Sequence, residues 1–283
     1  MDAGTRSSTC PQQAWSVVAF SAPAATDPTT SRVPSTPTRP HAVPCAAVGD
    51  GWRTLIVDLY AGPGGWSEAL RGLGLSDVGV EWDRDACETR RAAGHLTVRT
   101  DVAAYPPERF AGAVGLIASP PCQAFSQAGK RQGAAELVRL RARIAACRTG
   151  WIPDDPDAEW LDGRAPHVLE PLRWAWEVQP EWVVLEQVPA VLPLWRAMGD
   201  VLHAWGWTLP WVGIVNAADY GVPQTRKRAI LIAKRGTPMR CPPASHAERR
   251  PAPPVKLTAS GRPSRARRSA TAHLKPWVTM AEA

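Results

Sequence analysis

The residues best placed to do chemistry in this 283-residue chain gather around one thiol. Cys122 follows Pro120 and Pro121, which end an apolar run from Val114 to Ala118. That run reads as a buried strand, and the prolines forbid both helix and ladder pairing, so Cys122 falls on a loop at a strand end. Sheet enzymes keep their chemistry there. Free cysteine is among the most buried residue types, so a small apolar filler is one reading of the position. The other is a nucleophile: polar residues including Gln123 and Ser126 follow, and beyond Gly129 stand Lys130 and Arg131, whose charges favour a thiolate if they fold back over it. The context favours the nucleophile.

Other candidate groups also lie at predicted strand ends. Leu55 to Tyr60 reads as a buried strand that Ala61-Gly62-Pro63-Gly64-Gly65 turns into a helix over Trp66 to Gly74. Glycines at such a turn let the backbone approach a ligand, and the helix N-terminus offers N–H groups. A tight turn with no ligand is the plainer account. A second strand, Asp77 to Trp82, ends in Glu81-Trp82-Asp83. An acid there can accept hydrogen bonds from ribose hydroxyls and Trp82 can stack on adenine, which suits NAD and S-adenosylmethionine equally; alternatively Glu81 is a helix N-terminal anion and Trp82 is core. A helix over Arg84 to Ala93 and a strand over Leu96 to Thr100 then lead to Asp101.

Helical spacing returns over Ala134 to Cys147, with Leu137, Leu140 and Ile144 on one face, and over His167 to Gln179 and Pro193 to Gly206; residues 148–166 read as a loop or insert. Glu181 to Glu186 is another buried strand with an acid at its end, at the same sheet edge as Cys122 if the sheet is parallel. A cap or an ion-pair partner is the plainer role for Glu186. Thr208 to Val215 is a further strand, and Gln224-Thr225-Arg226-Lys227-Arg228 precedes one over Ala229 to Ala233. Gln224, Arg226 and Arg228 share a face if the extended conformation begins early; an ordinary hairpin with surface charges is the alternative.

These elements predict an α/β fold over residues 52–235, with a mostly parallel sheet and helices on both faces. Residues 1–50, rich in Pro, Ser, Thr and Ala, read as a disordered leader, and 236–283 as a Pro- and Arg-rich basic tail. The net charge of +7 resides in that tail: from Arg240 onward there are nine Lys/Arg against Glu248 and Glu282, so residues 1–239 are formally neutral. A basic tail rather than a basic domain carries the field that attracts phosphates. The six cysteines contain no C-x-x-C pair, which predicts neither a zinc site nor a disulfide framework and points to a reduced, cytoplasmic setting. No apolar run reaches the ~20 residues that cross a bilayer.

The segment Pro120-Pro121-Cys122-Gln123-x-Phe125-Ser126-x-Ala128-Gly129-Lys130-Arg131 resembles the catalytic loop of DNA cytosine-5 methyltransferases. Asp58-Leu59-Tyr60-Ala61-Gly62-Pro63-Gly64-Gly65 resembles the family's first cofactor motif, with Tyr60 where Phe is usual. Glu186-Gln187-Val188 stands for its Glu-Asn-Val, and Gln224-x-Arg226-x-Arg228 for its Gln-x-Arg-x-Arg. All occur in the family's order. The resemblance implies a Rossmann-like methyltransferase fold that binds S-adenosylmethionine through Asp58, Tyr60, Gly62, Gly64, Gly65, Glu81 on the ribose, Trp82 on the adenine face, Asp101 on the adenine amino group, and Pro120. It implies Cys122 as nucleophile, Glu186 as proton donor, and Arg226 and Arg228 beside the target cytosine. It further implies Gln123, Ser126, Lys130, Arg131 and Gln224 as contacts to DNA, with the base flipped out of the duplex. Metal plays no part.

The resemblance covers about residues 52–235, the catalytic half. The family's target-recognition domain and its last two motifs find no counterpart in 236–283, so a truncated or split enzyme is expected, with a second polypeptide supplying recognition. Two other functions fit the same residues: a non-catalytic remnant that binds cofactor or DNA, and a tRNA cytosine-5 methyltransferase. A nicotinamide oxidoreductase leaves Pro120-Pro121-Cys122-Gln123 unexplained.

Overall fold

A computed structural model describes residues 54–125, 136–153, 159–248 and 274–278, all within one unit, Arg39–Ala283. Ser126, Lys130 and Arg131, and the expected leader, lie outside the described residues.

Seven strands form one sheet: β1 (Ile56–Leu59), β2 (Asp77–Glu81), β3 (Leu96–Arg99), β4 (Gly115–Ala118), β5 (Trp182–Gln187), β6 (Trp211–Asn216) and β7 (Lys227–Lys234). Their order is β3-β2-β1-β4-β5-β7-β6, parallel except for β7, which runs antiparallel to both neighbours. The expected mostly parallel sheet is what forms. The helices are α1 (Gly65–Gly72), α2 (Arg84–Ala92), α3 (Leu137–Ala146), α4 (Glu170–Val178) and α5 (Leu192–Ala204). The helix anticipated from His167 begins instead as a 3-10 turn, Ala165–Leu169.

The period-2 alternation of the strands sorts their side chains onto two faces. Val57, Leu59, Leu116, Ala118, Val183 and Leu185 join a large core with residues of α3, α4 and α5. Ile56 and Ile117 pack with Leu70 of α1 in a small one. Trp174, Trp195 and Trp207 are among the largest fully buried side chains. Trp174 Nε1 donates to Val102 O at 3.3 Å and Trp195 Nε1 to Ala229 O at 3.2 Å, so both bury their area without losing their one polar contact.

Arg90 of α2 is wholly buried, which an arginine tolerates only when paired. Its Nη2 meets Asp77 Oδ2 at 3.3 Å and Leu96 O at 3.1 Å, and its Nε donates to Thr97 Oγ1 at 2.9 Å. Ser67 Oγ adds a hydrogen bond to Asp77 at 2.7 Å. The guanidinium passes over Gly79, where any Cβ would overlap it.

Beyond β7 the chain returns to the β6–β7 connection. Ser245 N donates to Asp219 O at 3.0 Å, and Trp277 Nε1 to Asp219 Oδ1 at 3.0 Å. Two-residue strands β8 (His246–Ala247) and β9 (Lys275–Pro276) pair beside this turn.

Candidate active site

Register gathers the candidate residues. Leu59 pairs with Val80 and with Ala118, and Ala118 with Leu185. Glu81, Tyr60, Ser119 and Glu186 therefore follow one another across the C-terminal edge of four parallel strands, which is where such sheets place ligands.

At Tyr60 the chain turns sharply. Tyr60 N and Ala61 N both donate to Val80 O, at 3.0 and 3.3 Å, and Gly62 and Gly64 take φ of 53° and 110°. Positive φ at Gly64, the cap of α1, is the conformation that requires glycine. Glu81 locks this turn to the next strand: its Oε2 accepts from Gly62 N at 2.8 Å, and its Oε1 from Trp82 N and Asp83 N at 2.9 and 2.8 Å.

Tyr60, Glu81, Trp82, Asp101, Pro121 and Gln123 line one cleft of ≈ 210 Å³. Four of the predicted cofactor residues, Tyr60, Glu81, Trp82 and Asp101, are thus brought together with the start of the predicted catalytic loop. Trp82 is 72% exposed, an indole face open to a ligand rather than a core residue. Asp101 Oδ1 accepts from Ala103 N at 2.9 Å, fixing its carboxylate at the rim. Asp58, Gly62, Gly64, Gly65 and Pro120 do not line the cleft; Asp58 is fully buried.

Two further lining residues, Arg164 and His167, went unread in the sequence, because they lie where the residue pattern suggests a featureless insert running into a helix. Arg164 is held by Asp162 at 2.8 Å. The Asp162-Gly163-Arg164 triplet, an acid and a base spaced to pair, was the available signal.

Asp58 keeps both carboxylate oxygens without a hydrogen-bond partner among the described residues. Burial, and then the Asp77 carboxylate, push its pKa well above the ordinary range, against the pull of Arg90. A carboxyl whose folded pKa is raised lowers stability as pH climbs from the unfolded value through the folded one. Asp58→Asn removes this burden. The variant is expected to melt a few degrees (about 2–4 °C per kcal/mol) above the unaltered protein at about pH 7, and level with it below about pH 4. Calorimetry at the two pH values checks this.

Cys122 is half-buried on the loop after β4, and its carbonyl accepts from Phe125 N at 3.0 Å. Two side-chain contacts hold this loop, one from α1 and one from β5. Trp66 Nε1 donates to Ser119 Oγ at 3.0 Å, and Gln187 Nε2 to Pro120 O at 2.6 Å. Gln187 Oε1 in turn accepts from Val188 N at 2.6 Å. The amide of Gln187 thus ties the residue after Glu186 to the residue two before Cys122. Gln187→Leu leaves a buried carbonyl and N–H unpaired. It is expected to cost about 1–3 kcal/mol in thermal denaturation and to slow turnover more than it weakens cofactor binding.

Glu186 stands between the two arginines of the predicted motif: Oε1 lies 2.6 Å from Arg228 Nε and 3.8 Å from Arg226 Nη2. The antiparallel register, Glu186 opposite Ile230, accounts for this, since Arg228 is two residues away on β7. Gln224 is not part of that face. β7 begins only at Lys227, and Gln224 sits in the preceding bend, its N donating to Val222 O at 2.7 Å.

A parallel sheet with an antiparallel seventh strand, a glycine turn into a cleft and a cysteine loop at the same edge define an α/β fold whose ligand site lies at the C-terminal ends of the parallel strands. The chain belongs to the C-5 cytosine-specific DNA methylase family, whose profile it matches over residues 54–140 and 161–262. It is 27% identical over 216 residues to the type II methyltransferase M.AquIA of Picosynechococcus, covering 68% of this chain and 76% of that one. To the type II methyltransferase M.HpaII of Haemophilus parainfluenzae it is 31% identical over 190 residues, covering 62% of this chain and 45% of that one. Among solved structures it is similar to the S. pombe Dnmt2 methyltransferase, with 18% identity and a TM-score of 0.46 over 67% of this chain and 52% of that one. The fold assignment rests on the strand order.

The cofactor that the family implies is S-adenosylmethionine, and the donor set fits it. Glu81 is fixed by three backbone N–H groups yet reaches the cleft, an acceptor suited to ribose hydroxyls, while Trp82 offers a flat face for adenine.

Proposed function

We propose that this chain transfers a methyl group from S-adenosylmethionine to C5 of cytosine in DNA, with residues 52–235 as the catalytic domain. The observation that carries the reading is the Glu186–Arg228 pair, set on the same sheet edge as the Cys122 loop and the cleft. Cytosine C5 is a weak nucleophile, and a thiolate added at C6 turns the ring into an enamine that is a strong one. Cys122 forms that Sγ–C6 bond. Charge driven onto N3 and O2 of the ring is met by a proton from Glu186 and by the guanidinium of Arg228. When bound, the cofactor supplies an electrophilic methyl group on a sulfonium. C5 takes the methyl, its proton is then lost to solvent, and the electrons of that C–H bond restore the ring as Cys122 leaves. The base must be flipped into the site, which costs a few kcal/mol from a duplex and less from single strands.

Gln123, Ser126, Lys130, Arg131 and Gln224 are assigned to DNA. We assign target recognition to a second polypeptide, in a type II restriction-modification setting in the cytoplasm. DNA carrying 5-fluorocytosine tests the chemistry, since fluorine cannot depart as a proton does. With S-adenosylmethionine present, a denaturation-resistant adduct is expected. Cofactor binding without adduct, on single- and double-stranded DNA alike, overturns the stand-alone enzyme.

A further inference from the structure

Tyr60 is one of two non-glycine residues with a left-handed backbone among the described residues, at φ 58°. Strain of this kind collects at ligand sites, where the surroundings hold it. Here the Tyr60 N–H and Ala61 N–H, both on Val80 O, hold it, and the result is a phenol reaching from the cofactor turn to the 3-10 turn Ala165–Leu169. Tyr60 Oη lies 3.1 Å from His167 Nδ1 and 3.3 Å from His167 O, and the two rings meet edge-on, 5.7 Å apart at 88°. Both residues line the cleft.

The proton count at this contact selects one arrangement. Burial, and then the Glu170 carboxylate, raise the Tyr60 pKa well above the ordinary phenol value, so Oη keeps its single proton. With that proton donated to the His167 carbonyl, the contact to Nδ1 is satisfied only by Nδ1–H donating to Oη. The neutral imidazole then presents a bare Nε2. The opposite polarity leaves the carbonyl contact without a proton.

We propose that Tyr60 fixes His167 in the tautomer whose Nε2 accepts a hydrogen bond from a hydroxyl or amino group of the adenosyl moiety, making the pair a specificity determinant of this cleft. This rests on the methyl-donor reading above. Tyr60 is the positioning residue and His167 the one that meets the ligand. The charged groups around the pair are Arg164 on the same turn, Glu170 and Arg173 of α4, Asp101 after β3 and Glu81 of β2.

Calorimetric titration of the full chain with S-adenosylhomocysteine at about pH 8 tests this. Tyr60→Phe and His167→Leu should each bind roughly three- to tenfold more weakly than the unaltered protein. His167→Gln, which returns an acceptor oxygen near the place of Nε2, should bind within about threefold of the unaltered protein. Unchanged affinity in Tyr60→Phe and His167→Leu overturns the proposal. So does a His167→Gln protein that binds no better than His167→Leu, since the site then needs no acceptor there. If the unaltered protein binds no S-adenosylhomocysteine, the methyl-donor reading itself fails, and this one with it.

Discussion

Cys122→Ala is expected to reduce methyl transfer by at least about 10³-fold while leaving S-adenosylhomocysteine binding unchanged. The cleft that would hold the cofactor is lined by Pro121 and Gln123, the neighbours of Cys122, and not by the thiol itself. The loop is anchored through Ser119 and Pro120, at Trp66 Nε1 and Gln187 Nε2, so truncating the side chain leaves its backbone in place. What is lost is the covalent step alone. Single-turnover transfer and calorimetric binding on the same preparation separate the two effects. Equal loss of both would point to a collapsed loop, and retained transfer would remove Cys122 from the chemistry.

Glu186→Gln should slow single-turnover transfer by about 10²- to 10⁴-fold. Gln preserves the size of the side chain and can still hydrogen-bond to N3, but it cannot hand over a proton. It also strips Arg228 of the carboxylate 2.6 Å away, so the arginine keeps its charge but loses its aim. The adduct with 5-fluorocytosine DNA should form more slowly, since addition of the thiolate is the step that needs the proton. A variant with normal adduct formation and slow release would place Glu186 after the addition instead.

How much of this could be read from residues alone follows from how local each signal is. The strands announce themselves, because Leu55 to Tyr60, Val114 to Ala118 and Glu181 to Glu186 are apolar runs ended by a glycine turn, a proline pair and an acid. In a parallel sheet every such end falls on one edge, so Glu186 could be placed at the same edge as Cys122 without coordinates. The extent of β7 was not legible. Arg226 and Arg228 look alternating whether the strand begins at 224 or 227, and only pairing with β6 decides it. Arg90 was invisible for the opposite reason: within Arg84-Asp85-Ala86-Cys87-Glu88-Thr89-Arg90-Arg91 it resembles any solvated charge, and its burial depends on Asp77 and Thr97 from other strands. His167 reads as one polar residue at a helix start until the phenol of Tyr60, 107 positions earlier, meets it.

The contact between Arg90 and Gly79 also limits how this half of the sheet can change over generations. A side chain at position 79 needs the space that the guanidinium occupies, so it can enter only after Arg90 has shortened. Shortening Arg90 first leaves Asp77, buried and hydrogen-bonded to Ser67, with no cation. Each single step away from the pair therefore passes through a damaged intermediate, and three positions on one strand and one helix are bound to substitute together or not at all. Their neighbours on the surface, such as Arg84 and Glu88, are under no such constraint.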